Sequence, residues 1–415
     1  MSAAQGRGAE RRHGIGGLIR LQFECSTRRG LARIRALHYV KMGLRVVFYE
    51  ASHEPATRAF NARLRAADAL LFALPEPAPA PNPNTSASGI EYRHFVVVDD
   101  AGEVRGGYFI RTQPFYVRGQ IHRVGHYNAP LSEGIVDKRY AAVGAVMLAH
   151  ALAEQPLLFA MGMGGRDRPL PRMLRAMGWP ILEVPFYFRI LNARRFLRNI
   201  GPLRGRWDRR LAADVLAFSG LGGLALKGIQ KARTRNRFDR RYKRQDIRDF
   251  SEWPDPIWQA SSEQYSFSAV RTTDYLRFIF PHRDPRYYGV QLTEADTLAG
   301  WVEMLDCQLR DRSYFGEMRV AALVDGIGPA ATIPSLIHCG VEAAKARNAD
   351  IVISNQMHRD WTSALKAAGF WQGPSNYLLA LSKELRKLLE PLEEAIPRIH
   401  FNRGDGDGRV NLTDR

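Results

Sequence analysis

The stretch DKRYAAVGAVMLAHAL, Asp137 to Leu152, sets two cations and a run of tiny residues directly before an all-apolar helical segment. An ordinary helix start carries a Ser, Thr, Asp or Asn cap and a polar face. Here Asp137 is the only cap candidate before apolar residues cover every side. Arg139-Tyr140-Ala141-Ala142-Val143-Gly144 supplies a cation, two spacers, then small residues at every second place. Small side chains let backbone N–H groups approach a polyanion, and the positive end of the helix dipole points the same way. Lys138 and Arg139 then pair with phosphate oxygens. The pattern predicts a turn that holds a pyrophosphate through Lys138, Arg139, Tyr140, Ala141, Ala142, Val143 and Gly144. A helix packed closely on a sheet uses similar small residues.

Working outward, LRVVFYEA reads as a strand, and HEPATRAFNARLRAADALLF as a helix that continues until Pro75 stops it. The tract LPEPAPAPNPNTSASG cannot pack a core and reads as a mobile surface loop. RHFVVVDDAGEVRGGYFIRT gives two strand runs around Asp100-Ala101-Gly102, which predicts an antiparallel hairpin. QIHRVGHYNAPLSEGIV is a further extended segment leading into the turn. Beyond the helix, PLLFAMGMGG reads as a buried strand, RPLPRMLRAMGW as a short helix, and WPILEVPFYFRIL as another strand.

The same order returns later. YYGVQLTEADTLAGWVEML and MRVAALVDGIG read as strands, ATIPSLIHCGVEAAKARN as a helix, ADIVISNQM as a strand, RDWTSALKAAGF as a helix and SNYLLALS as a strand. Leu174-Arg175-Ala176-Met177-Gly178-Trp179 is echoed by Leu365-Lys366-Ala367-Ala368-Gly369-Phe370, with the two glycines 191 positions apart. The echo implies two copies of one strand-helix-strand-helix unit. A chain of 415 residues has room for two domains of roughly 200 residues each.

At these residues the chain resembles the GNAT acyltransferase superfamily, whose pyrophosphate signature is Gln or Arg, two residues, Gly, one residue, then Gly or Ala. Arg139, Ala142 and Gly144 occupy those positions, with alanine in place of the first glycine, and LRAMGW is similar to the family's "klGF" ending. The resemblance implies an α/β (α+β) fold of two GNAT-like domains, each a mixed, mostly antiparallel sheet with flanking helices and a splayed parallel strand pair. It implies that the turn binds the diphosphate of coenzyme A, and that the thioester lies between the strand ending near Ile135 and Leu157 to Met161. Paired domains of this kind also resemble Fem-type aminoacyl transferases and proteins of surface-polysaccharide pathways. The second copy departs from the signature: Asp325-Gly326-Ile327-Gly328-Pro329-Ala330 is glycine-rich, yet no Arg or Gln stands three positions before a small pair. On this reading the chain divides into a basic arm (1–40), domain one (41–198), a basic and apolar linker (199–250), domain two (251–390) and a flexible tail (391–415).

The implied reaction is attack of an amine or hydroxyl on an acyl thioester, which needs a base, oxyanion donors and an acid for the thiolate. Glu133 and His126 lie on the segment entering the turn, and His126 is the better base near neutral pH. Tyr127 is the nearest hydroxyl for the thiolate. A surface carboxylate, a satisfied strand histidine and a packed tyrosine are the plainer alternatives. In the second copy Asp325 at a strand end is a catalytic candidate, and Asn355 and His358 in the turn after the next strand are substrate-binding candidates. Turn and cap roles suit Asp325 and Asn355 equally. GMGG, Gly162 to Gly165, lacks the spacing of a dedicated nucleotide loop and reads as a tight turn beside the acyl group.

Lys plus Arg number 60 against 42 Asp plus Glu, a formal charge of +18 that favours polyanionic partners. Cys25, Cys307 and Cys339 lie far apart without CxxC or His spacing, so neither a disulfide framework nor a metal site is expected, and a reducing cytoplasm fits. The N-terminal MSAAQGRGAERRHGIGGLIRLQ lacks a secretory core and reads as a loose arm, and no apolar run of about 18 residues predicts a spanning helix. Leu211 to Leu226 is apolar except for Asp214 and Ser219, and Lys227 to Arg244 holds nine Lys or Arg against one Asp. That linker reads as a helix between domains, as a segment lying on an anionic membrane, or as an RNA-binding run. In the last case Arg235, Arg237, Arg240, Arg241 and Arg244 meet phosphates beside Phe238 and Tyr242. The functional expectation is an N-acyltransferase that uses acetyl-CoA or another acyl-CoA and no metal. Its acceptor is an amino-sugar or other anionic or lipid-linked cell-envelope precursor at the inner face of the membrane. The alternatives are a Fem-type transferase that takes its acyl group from charged tRNA, and a catalytically silent membrane-associated binding protein.

Overall fold

The run RVVF forms β1 (Arg45–Phe48), followed by α1 (Glu54–Ala66). This helix stops well short of Pro75, because the chain folds back along it: Asn61 donates to the Leu74 carbonyl and accepts from the Leu74 amide, each at 3.0 Å. The expected hairpin joins β2 (Glu91–Val98) to β3 (Val104–Val117). Asp99 tightens its turn by accepting from the amides of Ala101 and Glu103, while Gly102 takes φ +80°, a region natural to glycine. Next come β4 (Gln120–Ser132), α2 (Val143–Glu154), β5 (Leu158–Gly162) and α3 (Pro169–Ala176). The single strand expected in WPILEVPFYFRIL is two, β6 (Ile181–Glu183) and β7 (Phe186–Ile190), parted at Val184-Pro185. α4 (Ala193–Asn199) and α5 (Leu221–Arg233) close the first half. The computed structural model describes residues 43–69, 72–80, 87–201, 221–235, 238–310 and 314–406. The basic arm, most of the apolar part of the linker and Cys25 lie outside them.

The second half runs β8 (Tyr242–Ile247), α6 (Pro254–Ser261), β9 (Phe267–Ala269), α7 (Thr273–Ile279), β10 (Tyr287–Glu294), β11 (Thr297–Gln308), β12 (Arg319–Ile327) and α8 (Ile333–Ala346). It ends with β13 (Ile351–Asn355), α9 (Arg359–Ala367), β14 (Trp371–Gly373), β15 (Leu378–Leu381), α10 (Lys383–Leu388) and α11 (Leu392–Ala395). Part of the expected linker is therefore β8, an edge strand. Its Lys243 and Arg244 are exposed, and such charges discourage edge-to-edge pairing with other chains.

Two mixed sheets with flanking helices result, as the fold class requires. Their strand orders are β1-β2-β3-β4-β5-β15-β6, with β9 also paired to β3, and β14-β7-β13-β12-β11-β10-β8. The two orders show an exchange. β15, from the end of the chain, lies antiparallel between β5 and β6 of the first sheet, while β7 lies antiparallel between β13 and β14 of the second. The Val184-Pro185 break explains how one apolar run serves both sheets: proline has no N–H for a ladder, so pairing ends there and the chain crosses over. Both sheets belong to one unit beginning at Arg45, and an apolar cluster with residues from both, including Phe159, Phe267, Leu305 and Phe401, lies between them.

The echoed hexapeptides end their helices in the same way. Gly178 and Gly369 take φ +79° and +78°, and the amides of Trp179 and Phe370 return to the carbonyls of Leu174 and Leu365 at 3.0 and 3.1 Å. This six-to-one bond is the Schellman ending, which glycine permits and a buried aromatic completes. Residues 391–406, expected as the start of a flexible tail, are instead built in. Ile399, His400, Phe401, Asn402 and Asp405 are fully buried, since apolar and hydrogen-bonding side chains alternate along a segment that bridges to Phe267 and Gln356.

Candidate functional site

β4 and β5 pair in parallel only at Gly125 with Leu158 and His126 with Phe159. β4 then runs on to Ser132 and β5 to Gly162 without further pairing between them. The parting has a local cause: the β3–β4 register shifts between Gly107 and Phe109, and Ala129 in the bulged stretch of β4 takes φ +47°. The splay leads straight into the opening motif, where Asp137 caps a 3-10 turn over Lys138–Tyr140 by accepting from the Arg139 amide.

α2 begins with Ala142 at its N-cap and no side-chain cap. Its first amides therefore have no partner in the helix, and the turn before it is exposed to half-buried. Lys138 is exposed and makes no side-chain hydrogen bond or ion pair among the described residues. Arg139 is 82% exposed and shares its guanidinium with Asp137 at 2.6 Å. The turn is held from beneath by Gly134, where any Cβ would strike the Tyr140 carbonyl oxygen at 2.6 Å. Val143, the first residue of α2, is fully buried and Gly144 half-buried, so at this helix start only Gly144 and the turn before it lie open to a ligand.

Glu133 does not face the splay as a free base. Both of its oxygens accept from guanidiniums, Arg63 at 2.8 Å and Arg105 at 3.1 Å, so it ties α1 and β3 to the turn. Arg105 in turn lies over the Tyr140 ring at 4.4 Å. His126 stacks on Phe159 and meets the Asn128 amide group at 3.2 Å. Burial, then the Arg111 charge, hold its imidazole well below the usual histidine range, so it stays neutral and is a poor proton acceptor at neutral pH. Tyr127, the next residue, points to the opposite face, towards Tyr108 and so towards α2. Its hydroxyl is buried with no hydrogen-bond partner, and burial raises its pKa so that it remains protonated. His126 and Tyr127 thus do not share a site. Gly162, Met163, Gly164 and Gly165 all have positive φ, so the GMGG turn at the end of β5 is a short left-handed bend.

The second half repeats the splay and fills it. β12 and β13 pair from Val320 with Ile351 to Leu323 with Ser354 and then part, with Val324 bulged opposite the Glu303–Met304 step. Asn402 donates to Asp325 at 2.7 Å and bridges to Gln356, Arg403 donates to Asn355 at 2.9 Å, and Gly404 lies against the Val324 carbonyl. Residues 402–404 therefore span the ends of both strands. Below them the fully buried Arg271 pairs with Asp325 at 2.9 Å, and its contact with Asp405 at 2.8 Å is an ion pair without hydrogen-bond alignment. Burial alone would raise the Asp325 carboxyl, but Arg271 and His400 hold it below the ordinary range. Asp405 stays raised by burial.

Asp325, Asn355 and His358, expected around a substrate, are all buried. Asp325 and Asn355 hold the C-terminal segment, and His358 caps α9 by accepting from the Asp360 amide at 3.4 Å. Pro334 near the start of α8 removes one of the donors that α2 keeps. Sequence reasoning missed Arg271, His400 and Asn402, because their partners lie 54 or more positions away. Gly134 was the one readable signal: a glycine just before the turn.

No family model matches the sequence, and no curated protein matches it. Among solved structures the chain is similar to a conserved protein of unknown function from Enterococcus faecalis V583, a probable N-acyltransferase, at TM-score 0.48 and 10% identity over 84% of this chain and 74% of that one. It is similar to Saccharomyces cerevisiae N-myristoyltransferase with bound myristoyl-CoA at TM-score 0.44 and 10% identity, over 82% of each chain. A tandem GNAT protein from the clavulanic acid biosynthesis pathway shows TM-score 0.44 and 14% identity over 81% of this chain and 98% of that one. Among the described residues no helix is long and apolar enough to cross a membrane, and no group of His, Cys, Asp or Glu is arranged to hold a metal.

Proposed function

We propose that the chain is an acyl-CoA-dependent N-acyltransferase of the GNAT type that binds one thioester, in the splay of the first half. The observation that supports this reading is the parting of β4 from β5 where β4 leads into the uncapped start of α2. Coenzyme A supplies an activated acyl carbon. The amide of half-buried Gly144, with the exposed Lys138 and Arg139, holds its diphosphate. The second splay takes residues 402–404 of the chain itself, so a single donor binds per molecule. An amino-sugar or another anionic cell-envelope precursor is the proposed acceptor, in keeping with the formal charge of +18.

Calorimetry with acetyl-CoA tests the reading. A stoichiometry of one is expected. Ala142→Asp sets a carboxylate on the start of α2, which suits the helix dipole by about 0.3–1 kcal/mol and repels a diphosphate. This variant should keep or raise its stability and bind acetyl-CoA at least about tenfold more weakly, a loss of about 1.4 kcal/mol. Equal binding by wild type and variant, or no binding by either, removes the proposal.

A further inference from the structure

A cleft of about 530 Å³ opens where the end of β8, the start of β2, α7 and the α7–β10 connection meet. Its rim carries Arg248, Arg277 and Arg283 against Asp249 and Asp274. Arg277 lies 3.7 Å from Asp274, so these two largely answer each other. Arg248 and Arg283 are exposed and make no side-chain hydrogen bond or ion pair among the described residues. Two unengaged guanidiniums thus share a concave, partly aromatic site.

The floor of the cleft is built around a buried carboxylate. Glu303 lies in β11 between Trp301 and Leu305, fully buried, and its Oε1 meets His282 Nε2 at 3.0 Å. Its other oxygen has no partner, and Gly289 faces it on β10, where any Cβ would collide with that oxygen. The His282 imidazole packs edge-on against Phe250 and lies beside the backbone of Ile247 and Arg248. His282, held by Glu303, thus sits beside the backbone that presents Arg248.

We propose that this cleft binds a small oxyanion, the carboxylate or phosphate group of a ligand, between the guanidiniums of Arg248 and Arg283. The site is separate from the donor splay and does not depend on the reading of that splay. His282 acts as a positioning residue, and Glu303 holds it.

Calorimetric titration of the full chain with sodium phosphate, and in a second arm with sodium acetate, tests the site. Saturable binding of at least one anion is expected, and the tighter of the two identifies the group recognised. Arg248→Gln and Arg283→Gln should each weaken it by about tenfold, the scale of one charge-assisted hydrogen bond, while Ala142→Asp leaves it unchanged. Glu303→Gln, which retains a hydrogen bond to His282, should bind within about twofold of wild type, whereas Glu303→Ala loses affinity with Arg248 and Arg283 still present. Binding that falls in Ala142→Asp but not in the arginine variants would place the anion at the start of α2 and overturn the proposal. Absence of binding by both anions overturns it too. Failure of the donor reading is seen separately, in the acetyl-CoA titration.

Discussion

Gly134 illustrates how a single residue sets the candidate site. It is tucked under the Tyr140–Ala141 backbone with no room for a side chain, so Gly134→Val must displace the turn that α2 starts from. That variant is expected to fold and to bind acetyl-CoA at least about tenfold more weakly, read by calorimetry beside circular dichroism. Arg271 makes the opposite point. Replacing it with Met strands Asp325 and Asp405 without their counter-ion, and breaking a buried pair in this way costs about 3–5 kcal/mol. Urea denaturation of Arg271→Met measures that loss, and an unchanged midpoint would contradict the role assigned to the cluster.

The buried histidines give the stability a defined pH dependence. Burial, then His400, depress His358 to about 3 from an ordinary 6.5, and burial holds His126 well below the same value. The unfolded chain takes up these protons near pH 6.5 while the folded chain does not, so the unfolded state binds more protons below that point. Their contribution to stability is then fully present above pH 6.5 and falls as the pH drops from there towards about 3, approaching about 1.4 kcal/mol per pH unit for each group. Glu303, pushed up to about 7 by burial, and His282, raised despite burial by its bond to Glu303, act in the opposite sense over the same range, so between pH 7.5 and 5 the urea midpoint of His358→Gln should fall less, or rise more, than that of wild type.

The paired helix endings show how far element-scale reading reached. Leu174–Trp179 and Leu365–Phe370 announce a left-handed glycine followed by a buried aromatic, and both helices end that way. The surroundings differ. A Cβ on Gly178 would meet the flexible end of Lys383 at 3.1 Å, whereas one on Gly369 would meet Thr234 Oγ1 at 2.5 Å. Gly178→Ala is therefore expected to cost about 1 kcal/mol and Gly369→Ala clearly more, as thermal denaturation of the two variants would show. The strands were less legible than the helices. WPILEVPFYFRIL is apolar throughout and reads as one strand, because periodicity reports burial and not which neighbour a strand pairs with. β14, only three residues long, left no pattern to find.

At the scale of the molecule, the exchange of β7 and β15 ties the two sheets together. Neither half of the chain completes its own sheet: β5 and β6 meet only through β15, and β13 and β14 only through β7. One unfolding transition is expected, with tryptophan fluorescence, reporting buried Trp301 and Trp361, coinciding with far-UV circular dichroism. Two separated transitions would mean that the halves are stable apart.

The sequence alone determined what neighbours along the chain can settle. The small-residue turn from Arg139 to Gly144, the Asp99–Gly102 hairpin and the repeated helix endings depend on backbone preferences and spacing within a few residues. Tertiary structure decided which sheet β7 and β15 join, that Asn402–Gly404 occupies the second splay, and that Glu133 is held by Arg63 and Arg105. Those outcomes rest on pairings between residues 28 to more than 200 positions apart, where pairing strength and burial choose the partner, and local pattern carries no record of that choice.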